Sequence, residues 1–255
     1  MKRWLARCAG LGAVLTAVCA GAPVAAACGA AALGEAKVIA IPDSHTLALG
    51  DGRLVKLAGI AWMVPADAAR SALADQLLNR TVSLKGNATP DRYGRIYAFP
   101  IVSGSETPIQ YALVEQGLAV PGGRIGDQAC VSQLLEREQV AQSSGRGSWA
   151  SGKRRHNAND PKMILSDQGR FAIVEGRVLS VRESGSIIYV NFGRRWSEDF
   201  TVTIAKRNEA SFIREGLPPR SLSGRNVRVR GFVEERSGPW IEATRPEQVE
   251  VVAAR

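Results

Sequence analysis

Residues 37 to 60, KVIAIPDSHTLALGDGRLVKLAGI, constrain this chain more than any other stretch, because apolar residues come in short alternating runs broken by Gly50-Asp51-Gly52. Alternation at a period of two is the signature of a strand, and Asp-Gly between two such runs is a strong hairpin signal. Two further strands are read at RTVSLKGNA and RIYAFPIV, on either side of TPDRYGR. The remaining pattern up to Trp149 is helical. ADAARSALADQLLN places Ala69, Leu73, Leu77 and Leu78 on one face, with Asp67 favouring its N-terminal end. IQYALVEQGLA and CVSQLLEREQVAQSSGRGSW follow, the latter turning Val131, Leu134, Leu135 and Val140 inward. Five strands and about three helices predict a mainly β, α+β unit in which a small closed barrel is capped by helices.

The N-terminus belongs to a different class of segment. Lys2, Arg3 and Arg7 precede an apolar run from Leu11 to Ala22, and Ala25-Ala26-Ala27 supplies the small residues of a cleavage site, so residues 1–27 read as a signal peptide. The run is interrupted by glycines and Pro23 and falls short of the ~20 residues that span a bilayer, which leaves no transmembrane segment in the mature chain. The expected location is therefore outside the cytoplasm, periplasmic or extracellular. Cys8 and Cys19 leave with the signal, so the mature chain keeps Cys28 and Cys130, and a disulfide between them is expected in an oxidising compartment. The competing reading makes Cys130 a buried apolar residue and Cys28 a free or lipidated end.

Charge divides the chain unevenly. Residues 28–152 hold 11 Lys+Arg and 11 Asp+Glu, whereas residues 153–255 hold 19 against 13. A polyanion would therefore be drawn to the second half. Between the halves, residues 151–167 open with SGKRRHNANDPKM, which has no apolar periodicity and contains Asp160-Pro161, and read as a linker. Residues 168–252 return to short strands: RFAIVEGRVLSVRE, SIIYVNFG, DFTVTIA, RNVRVRGFVEE, PWIEATRP and QVEVV, with a helix at KRNEASFIREG. That order predicts a second small β-barrel of the oligonucleotide-binding type. Such barrels stack bases on aromatic side chains within a basic groove, which makes Tyr189, Trp196 and Trp240, with Arg194, Arg195, Arg228 and Arg230, the nucleic-acid-binding candidates. The alternative is that these arginines are ordinary surface. No glycine-rich phosphate loop and no His/Cys cluster occurs in this half.

VIAIPDSHTL, VKLAGI, DRYGR, ALVEQGLA and EQVAQSSGRGSW occur in this order, and through them residues 37–149 resemble the staphylococcal nuclease (thermonuclease) family. The resemblance implies a five-stranded oligonucleotide-binding barrel with three helices. It also implies a nuclease chemistry in which two aspartates and a carbonyl hold calcium, a glutamate serves the attacking water, and two arginines clamp the phosphate. Calcium needs several oxygen ligands, and the phosphorane needs fixed cations.

Carried onto this sequence, the first metal-binding aspartate falls on His45, the second on Ala61 and the glutamate on Val64. One arginine falls on Lys56 and the other is kept as Arg95, while Asp43 matches an aspartate beside the metal. The family's calcium site is thus expected to be lost and no cofactor is implied. His45 with Asp43 is too small a set for zinc. The apolar AWMV stretch, residues 61–64, is expected to pack against the second half or a nearby loop, or to meet a partner. The leading expectation is an exported binding or scaffolding module whose partner is single-stranded nucleic acid or an envelope protein. The alternative is a divergent phosphodiesterase using His45, Lys56 and Arg95.

Overall fold

In the computed structural model, residues 28, 31–123, 128–150, 155–195 and 197–253 are described. The expected signal peptide, Lys153, Arg154 and Trp196 lie outside these residues. The opening alternation becomes β1 (Ala31–Asp43), β2 (Thr46–Leu49) and β3 (Leu54–Leu57), paired antiparallel in turn. Gly52 takes the positive φ, 88°, that the turn between β2 and β3 requires. A short β4 (Ile60–Trp62) leads into α1 (Ala66–Leu77), followed by β5 (Thr81–Asn87) and β6 (Arg95–Val102). The five longer strands close into a barrel in the order β1-β2-β3-β6-β5, with β3 and β6 parallel. Gly86 allows the tight crossing of β5 over β6, where a Cβ would stand 2.3 Å from the Tyr97 carbonyl oxygen.

The helices seal this barrel. α1 buries Ala69, Leu73 and Leu77, whereas Leu78, read as part of that face, lies past the helix end and is exposed. α2 (Ile109–Glu115) ends earlier than its sequence pattern, because Gly117 turns the chain into β7 (Ala119–Pro121), which pairs with β4. α3 (Gln128–Ser143) buries Val131 and Leu134 but leaves Val140 exposed. Cys28 and Cys130 form a disulfide with Cα atoms 5.1 Å apart, tying the start of the described chain to α3. Among the described residues, no helix is long and apolar enough to cross a membrane.

The stretch expected to be a linker is structured from Arg155 onward. β8 (Arg155–Asn157) runs parallel to β9 (Phe171–Arg177), and α4 (Pro161–Leu165) is capped by Asp160, whose side chain accepts from the Met163 N–H. A three-residue strand is too short to show a period, so only its partners reveal it. His156 is buried and meets Asp167 at 2.8 Å, and Ala158 packs onto Gly176.

The second unit continues through β10 (Ser180–Ser184), β11 (Ile187–Asn191), β12 (Thr201–Ala205), α5 (Lys206–Arg214), β13 (Asn226–Phe232), β14 (Glu234–Glu235), β15 (Pro239–Glu242) and β16 (Val249–Val251). Its strands form two sheets, β10-β11-β12-β15-β14 and β16-β13-β9-β8, rather than one closed barrel. The reason is visible at Val178 and Leu179, where the run read as one long strand changes sheet: Val178 donates to the Arg225 carbonyl and Leu179 to that of Asn191. Strands that turn a corner in this way join two packed layers around one core, here containing Val174, Ile188, Phe200, Val202 and Val229.

The two units touch through side chains from both. Ala61, Met63, Val120, Ala141 and Trp149 of the first form one apolar cluster with Phe171 and Ile173 of the second. The AWMV stretch therefore does pack, in part, against the second half. At Gly122 even a methyl group would stand 2.9 Å from Ala61 Cβ and 3.1 Å from Phe171 Cζ.

Candidate functional site

The turn between β1 and β2 holds the first group of candidate residues. Asp43 Oδ1 accepts from the His45 N–H at 2.7 Å, an Asx turn that accounts for the local shape. Ser44 Oγ lies 2.9 Å from His45 Nδ1, and Trp62 Nε1 donates to the Ser44 carbonyl at 2.6 Å. The imidazole meets the Trp62 ring edge-on at 6.4 Å. Burial lowers the His45 pKa below the ordinary value, the Lys56 charge adds to this and so does Arg95, with Asp43 opposing. Burial raises the Asp43 pKa, yet the His45 N–H and the nearby imidazole bring it below the usual range.

β3 and β6 are parallel neighbours, which sets Lys56 opposite Tyr97, and the ammonium lies 5.6 Å from that ring. Arg95 starts β6 but is held by its own turn: Asp91 accepts from its Nε at 3.0 Å and its Nη2 at 2.8 Å, while the guanidinium lies 5.0 Å from the Tyr93 ring. Burial alone would raise the Asp91 pKa, but the Arg95 guanidinium and the N–H groups of Arg95 and Tyr93 hold it at about 2. The arginine kept from the family pattern is thus occupied.

A cleft with a volume of about 570 Å³ opens beside His45 and Lys56, with Ala61 and Val64 in its wall. Calcium does not fit these residues. Asp43 is the one carboxylate among the family's metal-side positions and its oxygen is engaged by the turn, while His45, Ala61 and Val64 bring no carboxylate oxygen where a divalent ion needs one. Among the described residues, no group of three or more His, Cys, Asp or Glu is placed to hold a metal.

Residues 63–151 match the family model described as staphylococcal nuclease homologue. The first unit is a staphylococcal nuclease-like domain. The match takes in Val64 and Arg95 but begins after Asp43, His45, Lys56 and Ala61, the part of the nuclease-like domain where the metal-side pattern has changed. No curated protein matches the sequence significantly.

A second cavity, of about 980 Å³, lies outside the nuclease-like domain, on the β10–β11–β12–β15 sheet. Pairing across the sheet sets Arg182 opposite Tyr189 and Asn191 opposite Thr201, which itself faces Trp240. The Tyr189 and Trp240 rings meet edge to face at 6.0 Å, and Arg236 lies 5.1 Å above Trp240. Arg194 completes the rim. Arg182 and Arg194 have no carboxylate partner among the described residues, whereas Arg236 pairs with Glu234 at 2.8 Å.

Three of the sequence candidates, Tyr189, Arg194 and Trp240, are thus brought together, and Arg182 and Arg236 join them unforeseen. The alternation in SVRES, which sets Ser180, Arg182 and Ser184 on one face, was the available signal. The others go elsewhere. Arg195 is exposed beside Glu198 at 3.0 Å and does not line the cavity. Arg228 is half-buried between Glu175 at 2.6 Å and Glu250 at 3.1 Å. Arg230 is 1% exposed and donates to Glu138 of the nuclease-like domain at 2.7 Å. Neither β13 arginine is therefore a free surface cation, because Glu138 of α3, Glu175 and Glu250 stand against the face they share.

Proposed function

We propose that this protein is an exported nuclease-family protein without calcium-dependent hydrolysis, which holds single-stranded nucleic acid in the groove of its second unit. The observation that carries the reading is the Tyr189–Trp240 pair, flanked by Arg182 and Arg194, which have no carboxylate partner among the described residues; Glu183, which also lines the groove, is held by Lys206 and Arg220. The rings offer flat faces to unpaired bases, the guanidinium groups offer charge to the phosphates, and neither requires a particular sequence. The disulfide is compatible with an exported protein. On the nuclease-like side, His45, Ala61 and Val64 leave calcium without its oxygen donors. The phosphodiesterase alternative is less well supported, because Arg95 is already bound by Asp91.

The experiment is to incubate the mature protein with fluorescent single-stranded DNA and RNA in calcium and, separately, in chelator. Expected are intact oligonucleotides, equal binding in both buffers, a steep loss of affinity with salt, and weaker binding on Trp240→Ala. Calcium-dependent cleavage lost on Arg95→Ala would overturn the reading. Absence of binding would move the groove to a protein partner in the envelope.

A further inference from the structure

The cleft beside His45 is built by both units. Lys56, Trp62 and Tyr97 come from the nuclease-like domain, and Arg170, Phe171, Phe232 and Arg245 come from the second unit. Four aromatic rings therefore face a space of about 570 Å³, a size that suits a small organic molecule. Phe232 is 61% exposed, yet its ring is fixed edge-on against Phe171 at 5.6 Å. An exposed phenylalanine held in this way offers an apolar face to whatever enters.

The charges in this wall have one sign. Lys56, Arg170 and Arg245 line the cleft, and among the described residues no Asp or Glu does. Asp167, 3.9 Å from Arg170, and Glu247, 3.2 Å from Arg245, stand outside the lining. Lys56 has no carboxylate partner among the described residues, and its ammonium lies 5.6 Å from the Tyr97 ring. Where the family places acidic residues, this cleft is lined by Ala61 and Val64. Apolar side chains, aromatic walls and cations suit a ligand with the opposite arrangement, a flat hydrophobic body with one acidic head.

We propose that the cleft between the units is a metal-independent binding site for a small aromatic or similarly apolar organic anion, its ring between Trp62 and Phe232 and its acidic group held by Lys56 and Arg170. This site is separate from the groove of Tyr189 and Trp240, and does not depend on the groove's ligand.

The probe is anilinonaphthalene sulfonate, titrated into the mature protein in chelator and followed by its fluorescence, with naphthoate, neutral naphthalenemethanol and adenosine monophosphate as competitors. Expected is one saturable site that naphthoate empties and the neutral alcohol does not. Lys56→Ala and Phe232→Ala should each weaken the probe about tenfold, the scale of losing one charge-assisted or stacked contact. Circular dichroism confirms the fold of both variants, and Trp240→Ala leaves the titration unchanged. Equal binding by Lys56→Ala and Phe232→Ala would overturn the site. Equal competition by the alcohol would overturn the need for charge, and stronger competition by adenosine monophosphate than by naphthoate would overturn the ligand class.

Discussion

The two units treat their arginines and lysines in opposite ways from those their sequences suggest. In the nuclease-like domain the family's arginine survives as Arg95 but is bound to Asp91, while Lys56 in the altered position has no carboxylate partner among the described residues. In the second unit the basic strand RNVRVRG looks like a polyanion surface, yet Arg228 and Arg230 are enclosed by Glu175, Glu250 and Glu138. Arg182 and Arg194, at the groove of the other sheet, have no carboxylate partner among the described residues. What separates the groove arginines from those of β13 is the carboxylate opposite the latter, and for Arg228 and Arg230 that depends on contacts distant in sequence.

The sharpest way to break this comparison is Arg230→Met. It removes the guanidinium from the Glu138 carboxylate, which is 2% exposed and keeps the Gln142 Nε2 donor at 3.0 Å, and a loss of about 3–5 kcal/mol is expected in urea unfolding. Glu138→Met with Arg230→Met should recover most of that loss, since no buried charge is then left alone. Recovery separates a structural pair from a surface arginine, and a cost near zero for the single change would return Arg230 to the ligand-binding set. Next in size is the disulfide. Cys28→Ser with Cys130→Ser opens a link across 102 residues, and thermal unfolding should report a loss of about 2–4 kcal/mol.

These two effects also mark how far the sequence can be read. Strand alternation, the Asp51-Gly52 turn and the leucine faces of α1 and α3 are local, and they led directly to the barrel. Cys28 and Cys130 needed only subtraction of the two cysteines in the expected signal peptide. The period of two in RNVRVRG sets Arg228 and Arg230 on one face of a strand. Which face met solvent was not legible, because the answer lies at Glu138, 92 residues away. The corner at Val178 and Leu179 was hidden for a similar reason: both residues are apolar and continue the pattern, while their backbone changes partner. β8 was missed because three residues carry no period. At the candidate site, the losses at His45, Ala61 and Val64 were plain from the resemblance, but the walls supplied by Phe171 and Phe232 were not.

A smaller effect tests the groove. Trp240→Ala should remove about 1–3 kcal/mol of single-strand binding, measured by fluorescence anisotropy, whereas Arg95→Ala should leave it unchanged. Equal losses from both would erase the distinction drawn between the units.

The smallest effect is in the titration of His45. With only two histidines in the chain, its nuclear magnetic resonance signal can be assigned by His45→Gln. Its midpoint should lie below 6.5, and Lys56→Gln should raise it by removing a neighbouring positive charge. The sign for stability follows. Below about 6.5 the unfolded chain takes up a proton that the folded site resists, so this residue's contribution is complete above that pH. It declines as the pH falls towards the folded midpoint. A midpoint above 6.5 would mean that Asp43, not Lys56, governs the turn.

The Gly122 contact has a consequence for excision. Ala61 and Phe171 approach so closely there that the nuclease-like domain has no finished outer surface on that side. Cutting the chain at residue 151, where the family match ends, would uncover Met63, Val120 and Trp149 and leave Glu138 facing water. Such a fragment is expected to self-associate, because the end of a recognisable family segment does not coincide here with the end of a hydrophobic core.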